Sequence, residues 1–170
     1  MAGLKIRILF WYVDQSIRNE LISILKSDVY APEGIQCRDK DALRKYKDDV
    51  PFDLIIADFD LPEPLRQKVE DFHAKNAFHV PFMYLVGEQN ELKAAETLKR
   101  GVWDYIVKGR FVKFVPSVYS SQKYGKVLKQ SRKFEKYVQQ SREQFKNLAE
   151  NSPDVIMRLD KNLRHLYVNK

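Results

Sequence analysis

The sequence predicts an α/β fold, a doubly wound five-stranded parallel sheet with a long C-terminal helix. Two observations carry this. Short apolar runs alternate with helix-patterned segments five times in roughly 110 residues, the signature of a parallel sheet covered on both faces. The runs also end abruptly, in Asp14, Asp58, Gly87 and Lys108, as strands do when they leave a core for solvent. Residues 52–62 are the clearest case: residues 54–57 are continuously apolar, Asp58 and Asp60 follow, and Pro62 stops further pairing. A run of this length suits a strand buried on both faces and is too short for a typical helix. Parallel sheets bind ligands at the carboxyl ends of their strands, so chemistry is expected there.

In chain order, residues 6–13 are apolar apart from Arg7 and read as the first strand. Ser16 is the expected N-cap of a helix whose inner face is Ile17, Leu21, Ile24 and Leu25. Pro32 and Gly34 mark a turn before a brief second strand over residues 35–37. Residues 39–49 are polar, with Leu43 and Tyr46 on one side, and predict a surface helix. The third strand covers residues 52–57. Pro64 can begin the next helix, which turns Leu65, Val69 and Phe72 inward. Residues 80–86 form strand four, entered at Pro81 and left at Gly87. Residues 88–100 are helical, with Leu92, Ala95 and Leu98 as the inner stripe and Gly101 as C-cap. Residues 104–107 form strand five, closing in Lys108-Gly109. Right-handed crossovers leave few topologies for five such strands, and the flavodoxin-like order 2-1-3-4-5 is the expected one.

The texture changes at Pro116, which suits the first turn of a long helix. Val127, Ser131, Phe134, Val138, Ser141, Phe145 and Leu148 then follow alternating steps of four and three. This is a heptad seam. Its two serines make it mediocre, so a conditional coiled coil and a homodimer through the C-terminal helix are expected. Gly125 weakens the helix by ~1 kcal/mol relative to alanine and is a candidate bend. Residues 151–154, Asn-Ser-Pro-Asp, break the helix, and residues 155–159 and 165–168 read as strands around a turn at 160–162. A hairpin alone cannot bury enough surface to be stable.

The chain has 170 residues, 44% hydrophobic and 31% charged, with a formal net charge of +7. That content suits one ordinary globular domain with residues left over. No run approaches the ~20 apolar residues of a membrane span, and the N-terminus lacks the layout of a signal peptide. The single cysteine, Cys37, allows no internal disulfide, so a reducing cytoplasm is the expected location and a small buried strand residue the expected role. Residues 99–146 hold 13 Lys/Arg against three acids. These charges surround the helix instead of forming a stripe, and no recognition motif accompanies them, so nucleic acid is not the expected partner. His73, His79 and His165 have no metal spacing. Trp11 and Trp103, with Phe10 and Tyr12, read as packing residues.

Asp14, Asp58, Val86 and Lys108 thus fall at neighbouring strand ends. Two carboxylates there could hold a hard divalent cation such as Mg²⁺, and a lysine opposite could neutralise a phosphoryl group. Singly, each would be an ordinary strand-end residue; their convergence argues for a site. Residues 4–128 resemble the response-regulator receiver domain of two-component signalling, on Val13-Asp14, Ile56-Ala57-Asp58-Phe59-Asp60-Leu61-Pro62, Val80-Pro81-Phe82-Met83-Tyr84-Leu85-Val86-Gly87 and Asp104-Tyr105-Ile106-Val107-Lys108-Gly109. The resemblance implies that Asp58 is a phosphoacceptor supplied by a phosphohistidine on a histidine kinase or phosphotransfer protein. It further implies that Asp14 and Asp58, with the Asp60 backbone carbonyl, bind Mg²⁺, that Lys108 contacts the phosphate, and that Val86 and Tyr105 stand at the switch positions. Two departures matter. Val13 stands where the family has a second acid, which weakens Mg²⁺ binding. Val86 stands where it has Ser or Thr, so a hydrogen bond to phosphoryl oxygen of roughly 1.5–3 kcal/mol is lost.

Residues 144–160 and Tyr167-Val168-Asn169 resemble the entry into a PAS sensory domain. The expected organisation is a receiver domain over 1–128, a connecting helix over 129–150 and a truncated PAS start over 151–170. This order resembles that of hybrid sensor histidine kinases, which implies a piece of such a protein. No independent catalytic domain is legible. The competing expectation is a degenerate, phosphorylation-independent receiver that acts as an interaction and dimerisation module.

Overall fold

The computed structural model describes residues 3–38, 43, 46 and 50–169. The helix expected over 39–49 lies outside the described residues except for Leu43 and Tyr46. The chain divides into two compact units, residues 1–129 and 130–170.

The first unit contains β1 (Leu4–Trp11), α1 (Gln15–Lys26), β2 (Tyr30–Cys37), β3 (Leu54–Asp58), α2 (Glu63–Phe72), β4 (Phe82–Val86), α3 (Glu91–Thr97), β5 (Asp104–Val107) and the start of α4 (Phe114–Glu150). The sheet is parallel throughout, in the order β2-β1-β3-β4-β5. Alternation along the strands splits the core into two layers. Leu9, Trp11, Ile55, Ala57, Tyr84 and Val86 face one layer, closed by Val69 and Phe72 of α2 and Ala94 of α3. Ile8, Phe10, Leu54, Ile56, Met83 and Leu85 face the other, closed by Leu21 and Leu25 of α1 and Phe114 and Val118 of α4. Each fully buried aliphatic side chain contributes about 1.5–3 kcal/mol, so both faces hold the strand ends rigidly.

Three local expectations are corrected. β2 does not wait for a turn to end but runs straight through Pro32 and Gly34, paired with Ile6 and Ile8. It is an edge strand, where a missing N–H costs nothing on the solvent side. A Cβ on Gly34 would lie 2.8 Å from Ile22 Cδ1 and 3.0 Å from Phe10 Cε2, so glycine there serves close packing. The N-cap of α1 is Asp14, not Ser16: its carboxylate accepts the Ser16 N–H at 2.8 Å and the Ser16 hydroxyl at 2.6 Å. The inner stripe of α3 is Ala94 and Thr97, whereas Leu92 is 87% exposed and Leu98 is also exposed. Small residues let this short helix lie close on the sheet, and the Thr97 hydroxyl is satisfied by the Ala94 carbonyl.

Helix α4 begins two residues before Pro116, so the proline falls in its first turn, where its missing N–H has no intrahelical acceptor to lose. It continues unbroken through Gly125, whose absent Cβ makes room for the Pro81 ring. In the second unit, β6 (Met157–Leu159) and β7 (His165–Val168) form an antiparallel hairpin. Asp160 accepts the N–H groups of Asn162 and Arg164 to set its turn. The Asn169 amide donates to the carbonyls of Ala149 and Asp154, and Tyr167 donates to Glu150, tying the hairpin to the end of the helix.

Candidate functional site

The carboxyl ends of β3, β4 and β5 come together because the strands are in register: Ala57 pairs with Tyr84, Asp58 with Leu85, and Val86 with Val107. Asp58 is therefore the first residue of β3 beyond full burial. Lys108 leaves β5 one residue past the core, its N–H bonded to the Val86 carbonyl at 2.9 Å. Gly109 follows at φ +80, a left-handed position that suits glycine and turns the chain away behind the lysine.

The Lys108 ammonium meets Asp58 Oδ1 at 2.7 Å, Asp58 Oδ2 at 2.9 Å and Asp60 Oδ2 at 2.8 Å. An ammonium has three N–H donors, and all three are used. The side chains are only 24%, 15% and 21% exposed for Lys108, Asp58 and Asp60, so water screens these contacts less than at an open surface. Burial works against the charge on Lys108, but the hydrogen bonds it donates to Asp58 and Asp60 outweigh it and raise its pKa. Burial likewise opposes ionisation of Asp60, and the bonds from Lys108, Asn90 and Gly87 overcome it, so its pKa is lowered.

The Asp60 side chain is the member that sequence reasoning missed. Only its backbone carbonyl was expected to matter. Its Oδ2 also accepts the Gly87 N–H at 2.8 Å, its Oδ1 accepts the Asn90 amide at 2.9 Å, and its own N–H donates to Asp58 Oδ1 at 2.9 Å. An Asp two residues beyond a strand-end Asp, with a Gly closing the neighbouring strand, was the available signal.

Asp14 stands at the same edge, beyond the Trp11–Ala57 pairing. Tyr12, at φ +53, makes the turn that brings it there. Its carboxylate is committed to Ser16, whose side-chain and backbone bonds lower its pKa. Val13 and Val86 are fully buried, one in each apolar layer. Tyr105 is half-buried, its hydroxyl 3.4 Å from Glu91 and its ring under the Lys113 ammonium.

The donor types at Asp14, Asp58 and the Asp60 carbonyl suit a hard cation. Among the described residues no three acidic, His or Cys side chains form a metal-holding group, so a cation here would rest on two carboxylates and a backbone carbonyl, with Lys108 bonded to both Asp58 oxygens.

No family model and no curated protein matches this chain. Solved structures do. A structure described as an adenylate cyclase from Rhodopirellula baltica is 22% identical over 78% of this chain and 98% of its own, with a TM-score of 0.59. A response regulator receiver domain protein from Clostridium thermocellum is 17% identical over 72% and 98%, TM-score 0.56. The signal receiver domain of an HD domain-containing protein from Pseudomonas fluorescens Pf-5 is 16% identical over 72% and 98%, TM-score 0.55. At these identities the likeness establishes the fold, which is that of receiver domains.

Proposed function

We propose that the first unit is a signal receiver domain whose phosphoacceptor is Asp58. The observation that carries this is the Lys108 ammonium 2.7 Å from a carboxylate at the carboxyl ends of a parallel sheet. An oxygen of Asp58 attacks the phosphorus of a phosphohistidine on a histidine kinase or phosphotransfer protein. The P–N bond breaks, its electron pair stays on the imidazole nitrogen, and that nitrogen takes a proton from solvent. The product is an acyl phosphate, and Lys108 offsets part of its charge. Asp14, Asp58 and the Asp60 carbonyl would hold Mg²⁺, and with Val13 in place of a second acid the expected metal affinity is low.

In this proposal residues 129–150 connect the receiver to a PAS domain that begins near residue 151, in a cytoplasmic sensor such as a hybrid histidine kinase. Among the described residues no helix is long and apolar enough to cross a membrane. Incubation with Mg²⁺ and acetyl phosphate, followed by peptide mass analysis, tests the central claim. Phosphate is expected on Asp58 and is expected to vanish in Asp58→Asn. No adduct under conditions that label an ordinary receiver would leave the second reading, a phosphorylation-independent interaction module. Val13, where a second acid would stand, and the hydroxyl-free Val86 favour that alternative.

A further inference from the structure

We propose that the Asp60 carboxylate is an internal anion seated where a phosphoryl group on Asp58 would have to settle, holding the junction between β4 and α3 in its anion-bound arrangement without phosphorylation. This rests on Asp58 being the phosphoacceptor. A phosphoryl group bonded to Asp58 carries its oxygens outward from the β3 end, toward the donors around it. The donors at hand are the Lys108 ammonium, the Gly87 N–H and the Asn90 amide. Asp60 already accepts from all three, at 2.8, 2.8 and 2.9 Å.

The contact is built rather than incidental. Asp60 is held from behind by its own N–H on Asp58 Oδ1. Gly87 leaves room for it, since a Cβ there would lie 2.9 Å from Asp60 Oδ2. Asn90 N–H also returns to the Gly87 carbonyl at 3.0 Å, so the carboxylate fixes both ends of the turn that leads into α3. Each oxygen of Asp60 has a donor, and no N–H of Lys108 is left over for a second anion. A phosphoryl group could bond these donors only by expelling Asp60, and the two anions would repel each other while they shared the ammonium. Asp60 therefore sets how readily Asp58 takes phosphate and leaves the turn in the same arrangement with or without it.

Hydrogen–deuterium exchange over residues 86–92, with and without Mg²⁺ and fluoroberyllate (a tetrahedral phosphoryl mimic that bonds to carboxylates), tests this in the full chain. The wild type should be protected there and change little when the mimic is added. In Asp60→Ala, exchange at Gly87 and Asn90 should accelerate at least several-fold, and the mimic should restore protection while binding at least tenfold tighter than to wild type. Asp60→Asn keeps an oxygen for Gly87 but loses the charge, so its protection should be intermediate, which also separates the effect from misfolding. Unchanged exchange in Asp60→Ala, or equal affinity of the two proteins for fluoroberyllate, would overturn the proposal. If no variant takes up the mimic, the phosphoacceptor role of Asp58 falls, and the exchange difference alone decides whether Asp60 is the ligand of this turn.

Discussion

Val86 ends β4 one residue past Leu85, the partner of Asp58, and is fully buried in the layer that holds Tyr84 and Val107; in the proposed phosphoacceptor site it would offer an anion no hydroxyl. Val86→Thr keeps the shape and adds a hydroxyl. Without a phosphoryl group that hydroxyl is buried without an assured acceptor, and the expected cost is about 1–3 kcal/mol of stability, read from urea denaturation. With one, it can donate to a phosphoryl oxygen, and the acyl phosphate should form more fully and last longer. A stability loss with no change in adduct yield or lifetime would show that the missing hydroxyl is not what limits the site. Asp58 and Lys108 were legible in the sequence because each ends an apolar run, and strand ends in a parallel sheet converge. The engagement of Asp60 was not legible. Its partners Gly87 and Asn90 lie 27 and 30 residues away, and only the pairing of β3 with β4 brings them within reach. The cap at Asp14 was missed for a smaller reason, since Ser and Asp are equally good N-caps and lie two residues apart.

The same contrast holds for whole elements. β3, β4 and β5 were legible because central strands buried on both faces leave an unbroken apolar run. β2 was cut short in the sequence because Pro32 and Gly34 read as punctuation, a rule that edge strands relax. The α3 stripe was misplaced because helix periodicity weights Leu over Ala, whereas the gap over the sheet admits only Ala94 and Thr97. Gly125 shows how packing overrides propensity. In an exposed helix, Gly→Ala adds ~1 kcal/mol of stability. Here the new Cβ would sit 3.0 Å from Pro81 Cδ and 3.3 Å from Cγ. The proline ring cannot rotate aside, and overpacking of this kind costs typically 1–3 kcal/mol. Gly125→Ala should therefore lower the thermal midpoint or leave it unchanged. A rise of several degrees would show that α4 moves off Pro81 without cost.

At the scale of the whole molecule the heptad seam of α4 carries exposed apolar side chains. Val127, Phe134 and Leu148 are 58%, 68% and 75% exposed, and Phe145, also exposed, touches only the ring of Tyr167 among the described aromatic contacts. Alternating steps of three and four keep these residues on one side of a helix, and a second copy of the same helix would cover them in register. Ser131 and Ser141 occupy two of the seven seam positions and add no apolar burial. The expected association is consequently weak, with a sedimentation coefficient that rises with concentration. Phe134→Asp should abolish that rise while the far-UV spectrum of the folded chain is kept. Ser131→Leu with Ser141→Leu should tighten the dimer by at least tenfold, because each buried leucine contributes about 1.5–3 kcal/mol. A strict monomer at high concentration, unmoved by the leucine pair, would mean that the seam pairs with no second copy.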